Sequence, residues 1–253
     1  MKISLITVCQ NSETHIRTAI ESVLSQSYPD IEYIIIDGKS EDNTVELIRN
    51  YESKFKYDHF KWVSETDHGM YDAMNKGIRI ATGEIVGILN SDDFYNYPHC
   101  IETVAKVFKN SNIDACFADV FFVKPHNLEK TVRYYSSAHF HPRRFRWGFM
   151  PAHSTFFVRK KYFDKIGYYR TDYKIAADYE LLIRFLSINH LKYQYIPLDM
   201  IKMRTGGIST QSWKSKYIIN KEIVRACREN GIYTNFFMLF FRYFSKIFEF
   251  ITK

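Results

Sequence analysis

Short apolar runs alternate with amphipathic segments through the first part of the chain. The runs lie at residues 3–8, 33–36, 60–63 and 85–89. They are largely apolar, as strands are when both faces of their sheet are covered. Between them, apolar residues recur every three or four positions, which predicts helices over about 16–24, 42–51 and 71–83. This alternation predicts an α/β fold, with a parallel sheet flanked by helices.

The second half of the chain has a less regular pattern. Extended segments are predicted at 114–123, 155–158 and 193–203. Asp178 begins a segment with helical periodicity, in which Leu181, Leu182 and Phe185 face inward. Two more helices are predicted at the C-terminus, over 213–229 and 236–251.

The net charge of the chain limits the kinds of partner molecule that we expect. The 253 residues include 35 Lys and Arg against 28 Asp and Glu, a formal net charge of +7. Such an excess suits a nucleotide, a nucleic acid, a phospholipid or a phosphorylated substrate, and it also serves solubility alone. The sequence contains no RNA- or DNA-binding motif, so we expect no nucleic-acid partner.

The cysteines and the N-terminus bear on the cellular compartment. No two of the four cysteines form a CxxC pair, so neither a zinc site nor a redox motif is indicated. The chain enters a strand pattern at once, without the basic and apolar regions of a signal peptide. We therefore expect a cytoplasmic protein.

Polar residues follow three of the predicted strands. They are Thr7, Gln10 and Asn11 at the first strand, Asp37 at the second, and Asn90, Ser91, Asp92 and Asp93 at the fourth. Ligands of open parallel α/β sheets bind at the carboxyl ends of the strands. Each residue alone also suits a turn or a helix cap, and Asp37 before Gly38 is ordinary turn chemistry. Their predicted convergence favours a binding site.

Asp92 and Asp93 are two adjacent acids at the end of an apolar strand. Adjacent carboxylates repel each other, and a divalent cation, Mn²⁺ or Mg²⁺, removes that repulsion and bridges to phosphate oxygens. A solvated turn that caps the next helix is the alternative. The turn at 9–12 lacks the GxGxxG pattern, and no Walker lysine motif occurs. A nucleotide would therefore be held by side chains and metal.

Four stretches carry a resemblance to a known family. They are "ISLITVCQNS", "LSQSYPDIEYIIIDGKSEDNT", "DHGMYDAMNKGIRIATGEIVGILNSDD" and "AADYELLIRF". Together they resemble family-2 glycosyltransferases with the GT-A fold, especially bacterial enzymes that build O-antigen and exopolysaccharide repeats. The resemblance implies a mostly parallel central sheet in a GT-A domain over 1–210, with a nucleotide-binding half (1–95) and an acceptor half (96–210). A C-terminal extension of amphipathic helices would follow at 211–253.

The resemblance also implies a reaction. A sugar would move from a UDP-sugar to a hydroxyl of a saccharide acceptor, for which a polyprenyl-diphosphate carrier is one option. Asp93, with Asp92, would hold the Mn²⁺ or Mg²⁺ ion. Asp178 would be the general base, and a single base opposite the leaving group implies inversion. For Asp178 the alternative is a plain helix N-cap.

Further site residues follow from the same resemblance. The donor would be contacted by Thr7, Gln10, Asn11, Asp37, Asp72, Asn75, Asn90 and Asp92. Thr7 and Asp37 are assigned to the nucleobase, and Asp92 to the ribose and diphosphate. His153, Arg204 and Gly207 would contact the acceptor or the diphosphate, Gly207 within a closing loop at 206–209. Gln10 stands where many relatives have an aromatic residue, and Lys39 where a glycine is common. These departures leave the donor less well specified than the reaction.

Two other classes of function compete with this interpretation. A nucleotidyltransferase would need an N-terminal loop rich in glycine and arginine, which the turn at 9–12 is not. A non-catalytic, membrane-associated saccharide-binding module would have no need of both Asp93 and Asp178.

The C-terminal stretch "NFFMLFFRYFSKIFEFITK" is rich in aromatic residues. Arg242, Lys246, Glu249 and Lys253 recur at helical spacing as a narrow polar stripe. The stretch is too short and too charged to span a bilayer, but it suits a helix in the membrane interface. Packing on the domain or across a dimer is the alternative. The membrane interpretation predicts a peripheral protein on the cytoplasmic face of the inner membrane.

Overall fold

The computed structural model describes residues 1–56, 58–206 and 213–248, and in these residues nine strands form one sheet. The strands are β1 (Ile3–Cys9), β2 (Ile31–Asp37), β3 (Phe60–Ser64), β4 (Ile85–Ile88), β5 (Phe94–Tyr95), β6 (Ala115–Lys124), β7 (Asn127–Tyr135), β8 (Phe157–Arg159) and β9 (Tyr193–Arg204). Their order is β3-β2-β1-β4-β8-β6-β9-β5, and β7 pairs with β6. The α/β class predicted from the sequence is confirmed.

The helices of the described residues lie on both faces of this sheet. They are α1 (Ile16–Leu24), α2 (Thr44–Arg49), α3 (Met70–Ile80), α4 (Cys100–Phe108), α5 (Lys161–Ile166), α6 (Ala177–Leu182), α7 (Trp213–Glu229) and α8 (Phe236–Phe248). Apolar side chains of α3 and α6 share a core with Ile6 and Val8 of β1. Those of α1, α2 and α4 share the opposite core with Ile3 and Leu5. Alternate residues of one strand thus serve two cores, which explains why these strands are apolar throughout.

The first four strands are parallel and in tight register. β1 pairs with both β2 and β4, and β2 pairs with β3. All seven residues of β1 and of β2 are buried. Helix α3 lies close against β1, since a Cβ on Gly77 would be 2.4 Å from Cγ2 of Ile6. The ends of these strands are therefore held at one level, where the predicted site residues lie.

The second half mixes strand directions. β8 is antiparallel to β4 and β6, while β6 and β9 are parallel. The sequence pattern did not predict β5 or β7. β5 has only two residues, and β7 pairs only with β6 and leaves its charged residues mostly outside the core. Neither strand carries the apolar pattern of a buried strand, so periodicity alone cannot find them.

The two C-terminal helices pack against the acceptor half. α7 spans the residues predicted for it, and α8 extends through Phe248 in the described part of the chain. Met238 and Leu239 of α8 are buried. None of the described helices is both long and apolar enough to cross a membrane. The domain limits proposed at residues 95 and 210 remain predictions.

Candidate active site

The carboxyl ends of β1, β2 and β4 meet at one edge of the sheet. Cys9 is in register with Asp37, and Ile6 with Ile88. The chain leaves β1 into Gln10 and Asn11, β2 at Asp37, and β4 into Asn90. Parallel pairing thus brings together the polar groups that the sequence placed after separate strands.

Asp37 is a buried carboxylate held by its own turn. Its Oδ2 accepts from Ser40 N at 3.0 Å and from Ser64 Oγ at 2.6 Å. Its Oδ1 accepts from Ser40 Oγ at 2.5 Å and from Cys9 Sγ at 3.6 Å. Burial and the neighbouring Asp37 raise the pKa of the Cys9 thiol. Cys9 is therefore an uncharged, weak donor, and it is the partner of Asp37 that a ligand could most easily replace.

The loop after β1 joins the loop after β2. Gln10 Nε2 donates to the carbonyl oxygen of Gly38 at 3.0 Å. Asn11 has a left-handed backbone (φ 48°), and its Oδ1 accepts from Glu41 N at 2.9 Å. Thr7 lies deeper, because its hydroxyl accepts from Tyr33 Oη at 3.0 Å and the residue is fully buried. Gln10 and Asn11 therefore border the edge, and Thr7 lies beneath it.

A further acid, Asp67, lies at this edge and was not predicted. Its Oδ2 is 2.7 Å from the position that a Cβ on Gly38 would occupy. Its Oδ1 accepts from Gly69 N. A side chain at position 38 would therefore displace the Asp67 carboxylate from its present position. The signal available in the sequence was Asp67 two residues before Gly69, at the start of the amphipathic segment that became α3.

Asp93 is almost completely buried, with 1% of its surface exposed. Asn90 Nδ2 donates to its Oδ2 at 2.9 Å. Burial first, and then the neighbouring Asp92, raise the pKa of Asp93 well above the ordinary carboxyl range, although Asn90 and Arg204 oppose the shift. An ionised Asp93 is therefore costly to the folded protein unless a cation lies beside it.

Arg204, at the end of β9, supplies part of that positive charge. Its guanidinium donates to the Asp92 carbonyl oxygen and, at 3.1 Å, to Thr18 Oγ1. It lies over the ring of Phe94, with Cζ 5.1 Å from the ring centroid. Its Nε is buried without a hydrogen-bond partner in the described residues. Arg204 therefore lies at the Asp92–Asp93 pair, while Gly207 falls outside the described residues.

The donor set at Asp92 and Asp93 fits a divalent metal ion. Two carboxylates offer hard oxygen ligands. Burial, and then the charge of Asp92, raise the pKa of Asp93, and a bound cation would offset both effects on its ionised form. In the part of the chain described, no group of three or more His, Cys, Asp or Glu side chains is arranged to hold a metal. The two aspartates would therefore form part of a ligand set that phosphate oxygens and water complete.

Asp72 and Asn75 on α3 face away from this pair, toward other partners. Asp72 accepts from His68 N at 3.1 Å and lies 3.6 Å from Lys76 Nζ. Asn75 is buried, and both of its amide atoms bond the backbone of Tyr169. A direct role for either residue in donor binding remains a prediction.

Asp178 lies in the first turn of α6, far along the chain from the residues of the sheet edge. It lines a cavity. Its Oδ1 accepts from Tyr179 N at 2.8 Å. Burial raises its pKa, and the nearby His153 opposes the shift. A basic carboxylate at the wall of a cavity has the chemistry of a general base.

The cavity beside Asp178 has a volume of about 170 Å³. Its lining comes from β7, the segment after it, α6, α7 and α8, and comprises Arg133, Tyr135, Gly148, Phe149, Met150, Ala176, Asp178, Tyr179, Ile219, Ile223 and Arg242. Most of these side chains are apolar or aromatic. The C-terminal helices therefore complete the cavity.

His153 belongs to a hydrogen-bond network near Asp178. Its Nε2 is 2.6 Å from Tyr169 Oη. Burial lowers the pKa of His153, and Asp178 partly offsets that effect. His153 is therefore a mostly neutral neighbour of Asp178, and the predicted contact with acceptor or diphosphate remains a prediction.

Comparisons with known proteins bear on the identity of this site. Residues 4–167 match the family model described as Glycosyl transferase family 2. An uncharacterised glycosyltransferase of Mycobacterium tuberculosis is 32% identical over 184 residues, which cover 72% of this chain and 68% of the relative. A PGL/p-HBAD biosynthesis glycosyltransferase of Mycobacterium bovis is 25% identical over 88% of this chain and 82% of its own.

Solved structures share the fold. TarS of S. aureus in complex with UDP-GlcNAc superposes with a TM-score of 0.68 at 18% identity, over 89% of this chain and 66% of TarS. The mannosyltransferase PcManGT of Pyrobaculum calidifontis, in complex with GDP-Man and Mn²⁺, gives a TM-score of 0.65 at 17% identity, over 90% of this chain and 63% of its own. This chain spans slightly less than two thirds of each of those chains. At these identities the likeness concerns the fold alone.

Proposed function

Because the chain belongs to glycosyltransferase family 2, we propose that it transfers a sugar from a UDP-sugar to a hydroxyl of a saccharide acceptor, with inversion at the anomeric carbon. The resemblance found in the sequence is confirmed, and so is the GT-A-like α/β fold. The observation that carries the proposal is the convergence of Asp37 and the Asp92–Asp93 pair on one sheet edge. Nucleotide-sugar complexes of the structural neighbours support a donor of this class.

The sheet edge would bind the nucleoside diphosphate. Asp37 would accept a hydrogen bond from the nucleobase, replacing the weak bond from Cys9 Sγ. Asp92 and Asp93 would hold Mn²⁺ or Mg²⁺, which supplies Lewis-acid stabilisation of the departing diphosphate when bound. Arg204 adds a fixed positive charge at the same place, and its buried Nε has a hydrogen bond left to donate. These residues would orient the donor and neutralise its leaving group.

Asp178 would act on the acceptor. Its carboxylate would take the proton from the attacking hydroxyl as the new glycosidic bond forms. A raised pKa makes the ionised form of this carboxylate a stronger base. No second carboxylate is assigned as a nucleophile, which is why the proposal is inversion rather than retention.

The cavity beside Asp178 would bind the acceptor. Its apolar lining from Phe149, Met150, Ile219 and Ile223 favours an acceptor that presents an apolar face or chain next to its hydroxyl. A saccharide on a polyprenyl-diphosphate carrier, as in bacterial surface polysaccharide synthesis, meets that description. The carrier would reach the site from a membrane.

Helix α8 and the 3₁₀ turn at Pro142–Trp147, which packs against it, provide a surface for that membrane. Phe237, Phe240 and Phe241 are exposed on α8, and Trp147 packs edge-on against Phe241. The exposed Arg143 and Arg146 belong to the same 3₁₀ turn as Trp147 (Pro142–Trp147). Aromatic side chains beside arginines suit an anionic lipid surface. We propose that this surface is the membrane contact of a peripheral protein on the cytoplasmic face of the inner membrane.

Arg242 corrects part of the sequence interpretation of this helix. It was expected in the narrow polar stripe of a helix at the membrane interface, but only 8% of it is exposed, and its guanidinium donates to Asn220 Oδ1 and to the Gly148 carbonyl oxygen. With Met238 and Leu239 it packs against the body of the protein. α8 therefore combines the two alternatives, since one face packs on the domain and the aromatic face points outward.

A thermal-shift screen of nucleotide sugars, with and without Mn²⁺, tests the donor site. UDP-sugars with Mn²⁺ should raise the melting temperature of the wild type, because a ligand that binds only the folded state stabilises it. Asp93→Asn should remove the Mn²⁺-dependent part of that rise. An equal rise for wild type and variant would contradict the metal assignment. Turnover assays distinguish a glycosyltransferase from a nucleotidyltransferase. Release of UDP in the presence of an acceptor indicates sugar transfer, whereas formation of a nucleotide sugar from a sugar phosphate indicates a nucleotidyltransferase.

Flotation with vesicles containing phosphatidylglycerol tests the membrane surface. The wild type should float with the vesicles, and the variant carrying Phe237→Ser and Phe241→Ser should not, because both side chains are exposed and their loss leaves the packed face intact. Deletion of 235–253 should have the same effect. Thr103→Ala, on α4, serves as a substitution away from the patch. Equal flotation of all the proteins would exclude this surface as the membrane contact.

A further inference from the structure

One face of α3 connects the donor half to the loop that carries Asp178. Tyr71 and Asn75 are four residues apart on this helix, and both are buried. This spacing places them on the same face. The close approach of α3 to β1 at Gly77 leaves the helix little freedom to shift. Residues bonded to this face of α3 are therefore fixed in position relative to the edge of the sheet at which β1, β2 and β4 end.

Asn75 clamps the chain at Tyr169. Its Nδ2 donates to the Tyr169 carbonyl oxygen at 2.8 Å, and its Oδ1 accepts from Tyr169 N at 3.0 Å. The two bonds fix both the position and the direction of the backbone there. The Tyr169 ring stacks on that of Tyr71, with centroids 5.8 Å apart, and its hydroxyl bonds His153. Tyr169 thereby holds His153 in place beside Asp178.

Tyr71 reaches the start of α6 directly. Its hydroxyl donates to the Ile175 carbonyl oxygen at 2.5 Å. It also interacts with the Asp178 carboxylate and with the backbone N–H groups of Ala177 and Asp178. The N-cap residue Ala176 has no side chain that could cap α6. The Tyr71 hydroxyl therefore occupies the place that a capping side chain would normally fill.

We propose that Tyr71 is a positioning residue for the general base, and that the Tyr71–Asn75 face of α3 sets the orientation of the Asp178 carboxylate relative to the donor site. The inference rests on the proposed function, in which Asp178 accepts the proton of the acceptor hydroxyl. The contacts cross from the donor half to the acceptor half over 104 residues of sequence for Tyr71 and 94 for Asn75. α3 would thus act as the rigid spacer between leaving group and base.

Several charged or titratable groups lie around Asp178, either in the lining of its cavity or in contact with the segments packed against it. They are Tyr71 of α3, Arg133 and Tyr135 of β7, His153, Tyr169, Tyr179 of α6, Glu222 of α7 and Arg242 of α8. Among these, the Tyr71 hydroxyl and His153 stabilise the ionised form of Asp178 and lower its pKa against the effect of burial. Removing the hydroxyl should therefore raise the pKa of Asp178.

The test is Tyr71→Phe, which keeps the buried ring and removes only the hydroxyl. The acidic limb of the kcat/KM profile should move to higher pH by up to about one unit, because the interaction of the Tyr71 hydroxyl with the ionised form of Asp178 and its anchor on Ile175 are both lost. Below that limb the rate should fall by up to about tenfold, it should recover at higher pH, and the KM for the donor should stay unchanged. Tyr168→Phe is the matched control, because its hydroxyl bonds the exposed Asp164 and should leave the profile in place.

Two results would overturn the inference. One is a Tyr71→Phe profile that coincides with that of the wild type, and the other is a rate loss that is equal at all pH values. A carbon-13 NMR titration of the carboxyl groups gives a readout without a known acceptor. The Asp178 resonance, identified by its loss in Asp178→Asn, should titrate at higher pH in Tyr71→Phe.

Asp178→Asn also separates this inference from the proposed function. If that variant turns over normally, the base assignment fails whatever Tyr71 does. If it is inactive and the Tyr71→Phe profile does not shift, only the positioning role fails.

Discussion

The nucleotide edge and the Asp178 site hold their carboxylates by different means. Asp37 is bonded by Ser40 of its own turn and by Ser64 and Cys9 of the two neighbouring strands, and Asp93 is bonded by Asn90, three residues away. The loop around Asp178 is held by Tyr71, 104 residues from Ile175, and by Glu222, 46 residues from Ala176. The donor site is thus made by turns at the ends of a regular sheet. The acceptor site depends on helices that are remote in sequence.

The two regions share one electrostatic feature. Burial raises the pKa of both Asp93 and Asp178. At Asp93 a second acid, Asp92, adds to the shift while Asn90 and Arg204 oppose it, whereas at Asp178 His153 and Tyr71 oppose the effect of burial. An excess of negative charge suits a cation site, and a moderated carboxylate suits proton transfer. The surroundings of Asp93 therefore suit cation binding, and those of Asp178 suit proton transfer.

The largest expected effect comes from removing the base. Asp178→Asn should lower kcat by about 10²–10⁴-fold, the usual contribution of a general base, while donor binding persists. Its amide keeps the size of the side chain and can still accept from Tyr179 N. Steady-state kinetics with nucleotide-sugar titration measures both. Asp164→Asn, an acid on α5 bonded to Tyr168, is the control, and a comparable loss there would mean that the effect is not specific to Asp178.

A second substitution targets the long-range support of the acceptor site. Glu222 of α7 accepts from the backbone N–H groups of Lys174, Ile175 and Ala176 at 2.7–2.9 Å. Glu222→Gln should lower the free energy of unfolding by about 2–3 kcal/mol, because one carboxylate oxygen becomes an N–H group facing a donor. Urea denaturation measures this loss. Glu41→Gln, an exposed acid, should change stability by no more than about 0.5 kcal/mol.

The smallest expected effect is a gain, rather than a loss, in the free energy of unfolding, and it concerns Asp93 at the proposed donor site. The folded-state pKa of Asp93 is raised, so the folded protein favours the protonated form. The associated stability is present below the unfolded pKa and is lost as pH rises through the folded value. Without metal, Asp93→Asn should therefore be as stable as the wild type or more stable, and its advantage should grow from acidic to neutral pH. Melting curves in EDTA measure this, and a variant that is less stable at neutral pH would show that the buried charge is already compensated.

These outcomes would sharpen the contrast between the two regions. Loss of stability at Glu222 together with a gain at Asp93 would mean that the acceptor site contributes to the stability of the fold, whereas the donor site is maintained at its expense. Strained or electrostatically unfavourable groups of this kind are common at functional sites.

The amino-acid sequence by itself determined the first half of this protein. Apolar runs and helical periodicity predicted β1 to β4 and α1 to α3, because buried parallel strands and amphipathic helices have strong periodic signatures. The rule that ligands bind at the carboxyl ends of such strands then brought Asp37 and the Asp92–Asp93 pair together. The observed register agrees with that expectation.

Only the tertiary structure decided what surrounds Asp178. The sequence predicts that Tyr71 and Asn75 belong to a helix of the first half and Glu222 to a C-terminal helix. In the structure all three bond the loop that carries Asp178. Arg242 is likewise buried, although its helical spacing placed it in a polar stripe of a helix at the membrane interface. Periodicity reports which side chains one element buries, but not which distant element receives their hydrogen bonds. That information arises when the chain packs, because only then do groups far apart in sequence become neighbours.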